Sequence, residues 1–418
     1  MNTELSDLQK EYQEYQNAGL QLDMTRGKPS AAQLDLSNAM LDRPLSASLS
    51  RYTPDIRNYG GLEGLPGLRE LFAQMMQVDP DDVLVGGNSS LSLMHDTILR
   101  ALLLGVPGGG PWSQNARTRF LCPSPGYDRH FAICETFGIE MLPIAMTPTG
   151  PDMDAVESMV ATDESIKGIW IVPKYSNPGG ITCSAETVDR LGRMQTKAAD
   201  FRIFWDNAYG EHHLFAGVEN QDQLTSLKDA CQKHKHPDRY YIFASTSKVS
   251  FAGAGIAAMA SSPANVAALK KMIGIQTIGP DKINQARHLE FFGDYSGLQE
   301  HMSKHAALIR PKFEMVDRVL GQRLQDVAGV RWSKPRGGYF ISLDVWPNTA
   351  RRVVELCQAC GVKMTAAGAT WPYGKDPQDS NIRIAPTLPA IEDIQMAMQV
   401  LACSILMAGA QADQTGTV

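Results

Sequence analysis

The first apolar residues of the chain, Leu5, Leu8, Tyr12 and Tyr15, recur at helical spacing and predict an amphipathic helix laid on another surface. Gly27 and Pro29 in Met24-Thr-Arg-Gly-Lys-Pro29 then force an irregular turn. From about Val83 the pattern changes to short β-rich runs alternating with longer helical ones. Val83–Val85 precedes the polar stretch Gly86–Ser90 and a helical pattern from Leu91 to Leu104. Phe120–Cys122, Gly168–Val172, Phe201–Trp205 and Tyr240–Ala244 are further runs of buried-strand type, each closed by polar or Gly/Pro residues. Such strands separated by helices predict a mostly parallel sheet covered on both faces, with ligands beyond the carboxyl ends of its strands. After about residue 300, Ile309, Phe313, Val316 and Leu320 keep one apolar helical face, and Gly337-Gly-Tyr-Phe-Ile-Ser-Leu-Asp344 opens a smaller α+β part. The expected division is residues 1–50 as an N-terminal segment of the small domain, 51–305 as the large domain and 306–418 as the C-terminal small domain. The polar tail from Gln411 is expected to fray.

Bulk properties narrow the function. A chain of 418 residues exceeds what one core usually serves, and 43% hydrophobic with 20% charged residues is ordinary for a globular protein. With a net charge of −6 and a pI near 5.9 there is no broad basic field, so nucleic acid is not an expected partner. The basic run Lys233-His-Lys-His236 reads as a solvated loop face. Seven scattered cysteines fit free thiols in a reducing compartment, and the acidic N-terminus is unlike an export signal, so the cytoplasm is the expected location. No run reaches the apolar length of a membrane span; the nearest, Met396 to Gly409, is interrupted by Gln399 and Ser404. Cys357-Gln-Ala-Cys360 and His212-His213 lack the further ligands a metal site needs, so no metal is expected.

Chemistry gathers at the ends of the apolar runs: Asn88-Ser89-Ser90, Pro125-Gly-Tyr127, Asn177-Pro178, Asp206 with Tyr209, and Ser245-Thr-Ser247-Lys248. Together these are the parts needed to bind a phosphorylated pyridine aldehyde, pyridoxal 5′-phosphate (PLP). Burial would lower the pKa of Lys248 and make it a nucleophile toward an aldehyde and later a base. A carboxylate ending so apolar a strand as Phe201–Trp205 needs a positive partner, and a protonated pyridine nitrogen would serve Asp206; capping of a following helix is the alternative. Asn177 and Tyr209 would donate to the ring oxygen, Tyr127 would stack on the ring, and Asn88, Ser89 and Ser90, opening a helix, would take the phosphate with Ser245 and Ser247.

The set Asn177-Pro178, Asp206-x-x-Tyr209, Ser245-Thr-Ser-Lys248 and Asn381-Ile-Arg383 resembles the fold-type I, class I aminotransferases. Thr25–Pro29, Asn58-Tyr-Gly-Gly61, Ser247–Gly255 and Ile278–Gln285 make the chain more similar to the bacterial aspartate aminotransferase-like subgroup called MocR-type, over residues 20 to 400. That resemblance implies the α/β fold of type I PLP-dependent transferases, a large PLP-binding domain and a Schiff base on Lys248. It further implies that Arg383 grips the substrate α-carboxylate, that Gly27 lines the substrate pocket, and that Tyr59 reaches the phosphate held by the neighbouring subunit of a homodimer with shared sites. Many relatives carry an arginine eight residues after the lysine; here that position is Ile256, and Lys282 is the expected substitute cation.

The implied reaction moves an amino group between an amino acid, aspartate or glutamate, and a 2-oxo acid such as 2-oxoglutarate, with Arg26 and Lys28 as candidates for the distal carboxylate. Two rivals stand beside it. A PLP-dependent lyase would share the same lysine and aspartate, and a non-catalytic amino-acid sensor related to MocR-type regulators would need a DNA-binding unit ahead of residue 20.

Overall fold

Residues 2–53 and 55–415 are described by a computed structural model of the chain. Its strands are, in chain order, β1 (Leu22–Asp23), β2 (Val83–Val85), β3 (Arg119–Ser124), β4 (Glu140–Thr147), β5 (Gly150–Pro151), β6 (Ile166–Ile171), β7 (Arg202–Asp206), β8 (Tyr240–Ser245), β9 (Ala257–Ser261), β10 (Arg331–Trp332), β11 (Ile341–Asp344), β12 (Val362–Lys363) and β13 (Asn381–Ile384). Eight of them form one sheet in the order β2-β9-β8-β7-β6-β3-β4-β5. Neighbours from β8 through β7, β6 and β3 to β4 run parallel, while β9 is antiparallel to both β2 and β8.

Both faces of this sheet are buried, which explains why its strands read as largely apolar runs instead of alternating ones, with the charges of Lys167 and Arg202 satisfied by Asp200 and by backbone carbonyls. Ile169, Ile203 and Ile242 join the core on one side; Trp170, Phe204 and Phe243, their sequence neighbours, join the core on the other. Among the strands that escaped the sequence reading, two did so for plain physical reasons. Ala257-Ala-Met-Ala-Ser261 is weak in β propensity and becomes β9 because partners exist on both sides, and β4 carries Pro143 and a half-polar pattern near the sheet edge.

A separate apolar cluster gathers around β11, β13 and the long helices. Ile309, Phe313, Val316 and Leu320 are all buried there, on the helix Tyr295–Leu324. The first helix, Asn2–Asn17, joins this cluster: Tyr12 donates to the Leu356 carbonyl at 3.0 Å, and Arg323 grips Glu11 through two bonds of 2.6 and 2.9 Å. The side chain of Leu5 lies outside the described residues. Parallel pairing of β1 with β12 ties Leu22 to Val362, so the N-terminal segment is held against the C-terminal part.

Three expectations change. The tail does not fray at Gln411: the last helix runs Ile391–Thr415, and Arg352 Nε donates to Gln411 Oε1 at 3.0 Å; residues 416–418 lie outside the described residues. That helix is also long and apolar enough, by length and composition, to cross a membrane, but 67% of its apolar stretch is buried against neighbouring helices. The basic run is not simply solvated, since Lys233 and His234 both bond Asp189, at 2.7 and 3.0 Å, and His236 bonds the Gly192 carbonyl.

Candidate active site

Parallel strands that are neighbours in the sheet end side by side, so residues distant in sequence meet beyond their carboxyl ends. The end of β7 supplies Asp206, 2% exposed. No helix follows it, which removes the capping alternative; the chain turns instead and brings Tyr209 over the same edge. His130 Nε2–H donates to Asp206 Oδ2 at 3.0 Å, and Oδ1 of the same carboxylate is buried without a partner among the described residues.

Beyond β8, the amine of Lys248 lies beside two stacked phenol rings, 4.9 Å from the centre of Tyr209 and 5.9 Å from that of Tyr339. Burial lowers its pKa, and the Asp206 carboxylate offsets part of that fall. The Tyr209 hydroxyl is pushed well above its ordinary range by burial first, and then by Tyr127 and Asp206, so it remains a donor.

After β6 the chain reaches Asn177, buried, whose Nδ2 is also unpartnered while its Oδ1 accepts from Arg383 at 3.4 Å. Arg383 sits on β13 and also donates to Asp128 at 3.1 Å, with its Nε unpaired and its guanidinium 4.9 Å from the Phe340 ring centre. Gly27 belongs to this wall. A Cβ there would lie 2.1 Å from the Phe340 ring, so only glycine lets the N-terminal segment approach this closely.

At the other end, Ser89 precedes the helix Ser90–Leu104 without spending its hydroxyl on the cap. Ser245 donates to Ser247 at 3.1 Å, Ser247 to the Asn88 carbonyl at 3.2 Å, and Asn88 to the Gly253 carbonyl at 3.3 Å, so the helix N-terminus and the lysine loop form one cluster of donors. Ile256 is buried and cannot supply a cation there. Lys282, buried as well, opens the helix Lys282–Phe292 and donates to the Gly60 carbonyl at 2.6 Å, which sets it beside the Tyr59 segment; Tyr59 itself is 77% exposed. Arg26 and Lys28 are exposed, Arg26 lying 3.8 Å from Asp23.

Several site residues escaped the sequence reading. His130 is one turn into the helix Asp128–Thr136 and stacks on Trp170 at 4.4 Å, a position visible only once helix phase and strand order are known. Tyr339 is fixed by Gln33, whose Nε2 donates to its hydroxyl at 2.9 Å across more than 300 residues of sequence. His212, held neutral by burial, reaches the Lys248 carbonyl at 3.4 Å, and His213 faces elsewhere. Among the described residues no group of three His, Cys, Asp or Glu is placed to hold a metal ion.

Three polar atoms without a partner among the described residues thus face the site, an acceptor on Asp206 and a donor on Asn177 beyond the large sheet and a donor on Arg383 from β13. A buried polar atom costs free energy until something pairs it, and this set matches a protonated ring nitrogen, a ring oxygen and a carboxylate. Fold and site together are those of a fold-type I aminotransferase, and that class implies PLP as its cofactor.

Comparison with known proteins agrees. The model of the aspartate aminotransferase family matches residues 1–415. A putative aminotransferase of Mycolicibacterium smegmatis is 47% identical, covering 97% of this chain and 95% of its own length. An aspartate aminotransferase of Corynebacterium glutamicum is 41% identical over 97% of this chain and 93% of its own. The crystal structure of an aspartate transaminase from that organism superposes with a TM-score of 0.95 at 40% identity, covering 98% of this chain and 96% of that one. The chain belongs to the aspartate aminotransferase family and is an aminotransferase.

Proposed function

We propose that the chain transfers an amino group from aspartate or glutamate to a 2-oxo acid, 2-oxoglutarate foremost, in a double-displacement cycle with PLP held at Lys248. The observation that carries this is the unpaired Oδ1 of Asp206 at the end of β7, with the Lys248 amine close enough to feel its charge. When bound, PLP supplies a carbonyl that takes up the amino group and a cationic ring that accepts electrons from the substrate Cα.

The chain's own residues do the rest. Asp206, backed by His130, would hold the ring nitrogen protonated; Asn177 and Tyr209 would donate to the ring oxygen; Tyr127 would cover the ring. The donors of Asn88, Ser89, Ser90, Ser245 and Ser247 would take the phosphate, with Tyr59 and Lys282 completing it across a homodimer. Arg383 would bind the α-carboxylate, two parallel bonds being the strong geometry for that pair, beside the wall made by Gly27 and Phe340. Lys248 Nζ, beside two phenol rings, would then carry the proton taken from the substrate Cα. Aspartate as donor is suggested by the C. glutamicum aspartate aminotransferase, and the MocR-type subgroup by the Ser247–Gly255 and Ile278–Gln285 motifs. Seven buried free cysteines are in keeping with a reducing cytoplasm.

Initial rates with aspartate and 2-oxoglutarate should give parallel double-reciprocal lines and no ammonia. Lys248→Ala should lower the rate by about 10³-fold or more. Ammonia and pyruvate released from a cysteine conjugate, in place of a new amino acid, would make the enzyme a lyase. Sedimentation equilibrium should return twice the chain mass of 45.7 kDa; a monomer that retains full activity would remove Tyr59 from the site.

A further inference from the structure

A separate cavity of about 180 Å³ lies where the segments carrying Asn177 and Tyr209 meet the start of the helix Tyr295–Leu324. Those segments supply the catalytic edge with Asn177 and Tyr209, and they supply this cavity with Lys174 and Glu211. None of its residues has a part in the amino-transfer chemistry.

Lys174 is only 8% exposed, yet its ammonium has no hydrogen-bond or ion-pair partner among the described residues, only the face of the Tyr175 ring at 5.4 Å. Burial lowers its pKa, and Glu211 and Asp222 counter part of that fall. Buried cations are normally paired, and this one borders the cavity with no protein partner among the described residues. Asn207 also borders the cavity, but its Nδ2 donates to the Met75 carbonyl at 3.0 Å and its Oδ1 is sealed from solvent, so it offers nothing to an occupant. Glu211, also buried, accepts the Tyr295 hydroxyl at 2.7 Å through Oε1.

His213 completes the lining. Tyr175 Oη accepts from the Asp222 amide at 3.1 Å and lies 2.8 Å from His213 Nδ1. The phenol hydrogen has no other acceptor there, so Tyr175 donates to Nδ1 and the imidazole hydrogen sits on Nε2. Burial pushes the His213 pKa down to about 3, so the ring is a neutral donor.

The cavity therefore offers a cation and a neutral donor together with a carboxylate. A lone anion would meet Glu211 and a lone cation would meet Lys174; a ligand carrying both charges satisfies the two. We propose that this cavity is a second, non-catalytic site for a zwitterionic α-amino acid, its carboxylate on Lys174 and His213 and its ammonium on Glu211. At roughly 30 Å³ for each water displaced, the volume suits a ligand of that size. An occupant would brace the segments that carry Asn177 and Tyr209, coupling the cavity to the catalytic edge.

The test keeps the two sites apart. In the Arg383→Ala holoenzyme, whose catalytic carboxylate grip is removed, each of the twenty standard amino acids is added singly and thermal melting is followed. At least one should raise Tm by several degrees, as any ligand of the native state does. Adding Lys174→Met should abolish that shift, and Glu211→Gln should abolish it independently. Lys174→Met removes an unpaired buried charge, so its own Tm without ligand should be no lower than that of its parent; if that protein does not fold, Glu211→Gln supplies the same reading. No shift with any amino acid, or a shift that survives both substitutions, means a cavity that holds only water and overturns the proposal.

Discussion

Asp206 is held from one side only. His130 takes one carboxylate oxygen, and the stack of His130 on Trp170 keeps the imidazole from following any other partner. His130→Ala would leave both oxygens of a 2%-exposed carboxylate unpaired, and a buried acceptor without a donor costs about 1–3 kcal/mol. Urea unfolding should register that loss, and His130→Gln, which can still donate, should recover most of it. The same comparison in a PLP titration should weaken cofactor binding for alanine more than for glutamine. Asp206 and Lys248 were legible in the sequence because their types are chemically unusual where they stand, a carboxylate and a lysine beyond largely apolar strands, while Arg383 was legible only through the resemblance carried by Asn381-Ile-Arg383. His130 was not, since a histidine one turn into a helix looks the same whether or not its ring meets a carboxylate 76 residues away.

Elements show the same division. The strands β6, β7 and β8 could be read because burial on both faces favours apolar side chains at most positions, Lys167 and Arg202 being the buried exceptions, whereas β9 is a row of small residues whose strand state is imposed by β2 and β8. The long helix Tyr295–Leu324 carries its own start signal: Asp294 at its N-cap accepts from the Gly297 amide at 2.9 Å. Asp294→Ala should cost about 1 kcal/mol, and Asp294→Asn much less, seen as a fall in the denaturant midpoint with an unchanged slope. Because this helix also lines the cavity behind the catalytic edge, the weaker variant should melt with a smaller response to any amino acid bound there.

On the scale of the molecule, burial of histidines makes the fold sensitive to acid. His213 and His305 are pushed down to about 3 and about 4, in both cases mainly by burial. Their unfolded values lie near 6.5. Between about pH 6.5 and those folded values the unfolded chain binds more protons than the native one, so stability rises with pH and is lost on acidification. Unfolding free energy measured from pH 7 down to pH 4 should therefore decline, and His305→Gln should flatten the decline. Removal of His213 should do likewise at the other buried position. A decline that both variants leave unchanged would assign the acid sensitivity to other groups.

By itself the sequence determined the class of fold from residue types and short-range spacing, the apolar runs and their polar ends, and the aminotransferase family, with the cofactor that family implies, through the resemblance of motifs such as Ser-Thr-Ser-Lys248. Tertiary structure decided which of those ends are neighbours, since strand order joins β7 to β8 and β6 but cannot be read from chain order. It also decided the partners that no local pattern announces: Gln33 on Tyr339, His130 on Asp206, Gly27 under Phe340. Each is a contact between surfaces that burial brings together, and burial is a property of the folded chain as a whole.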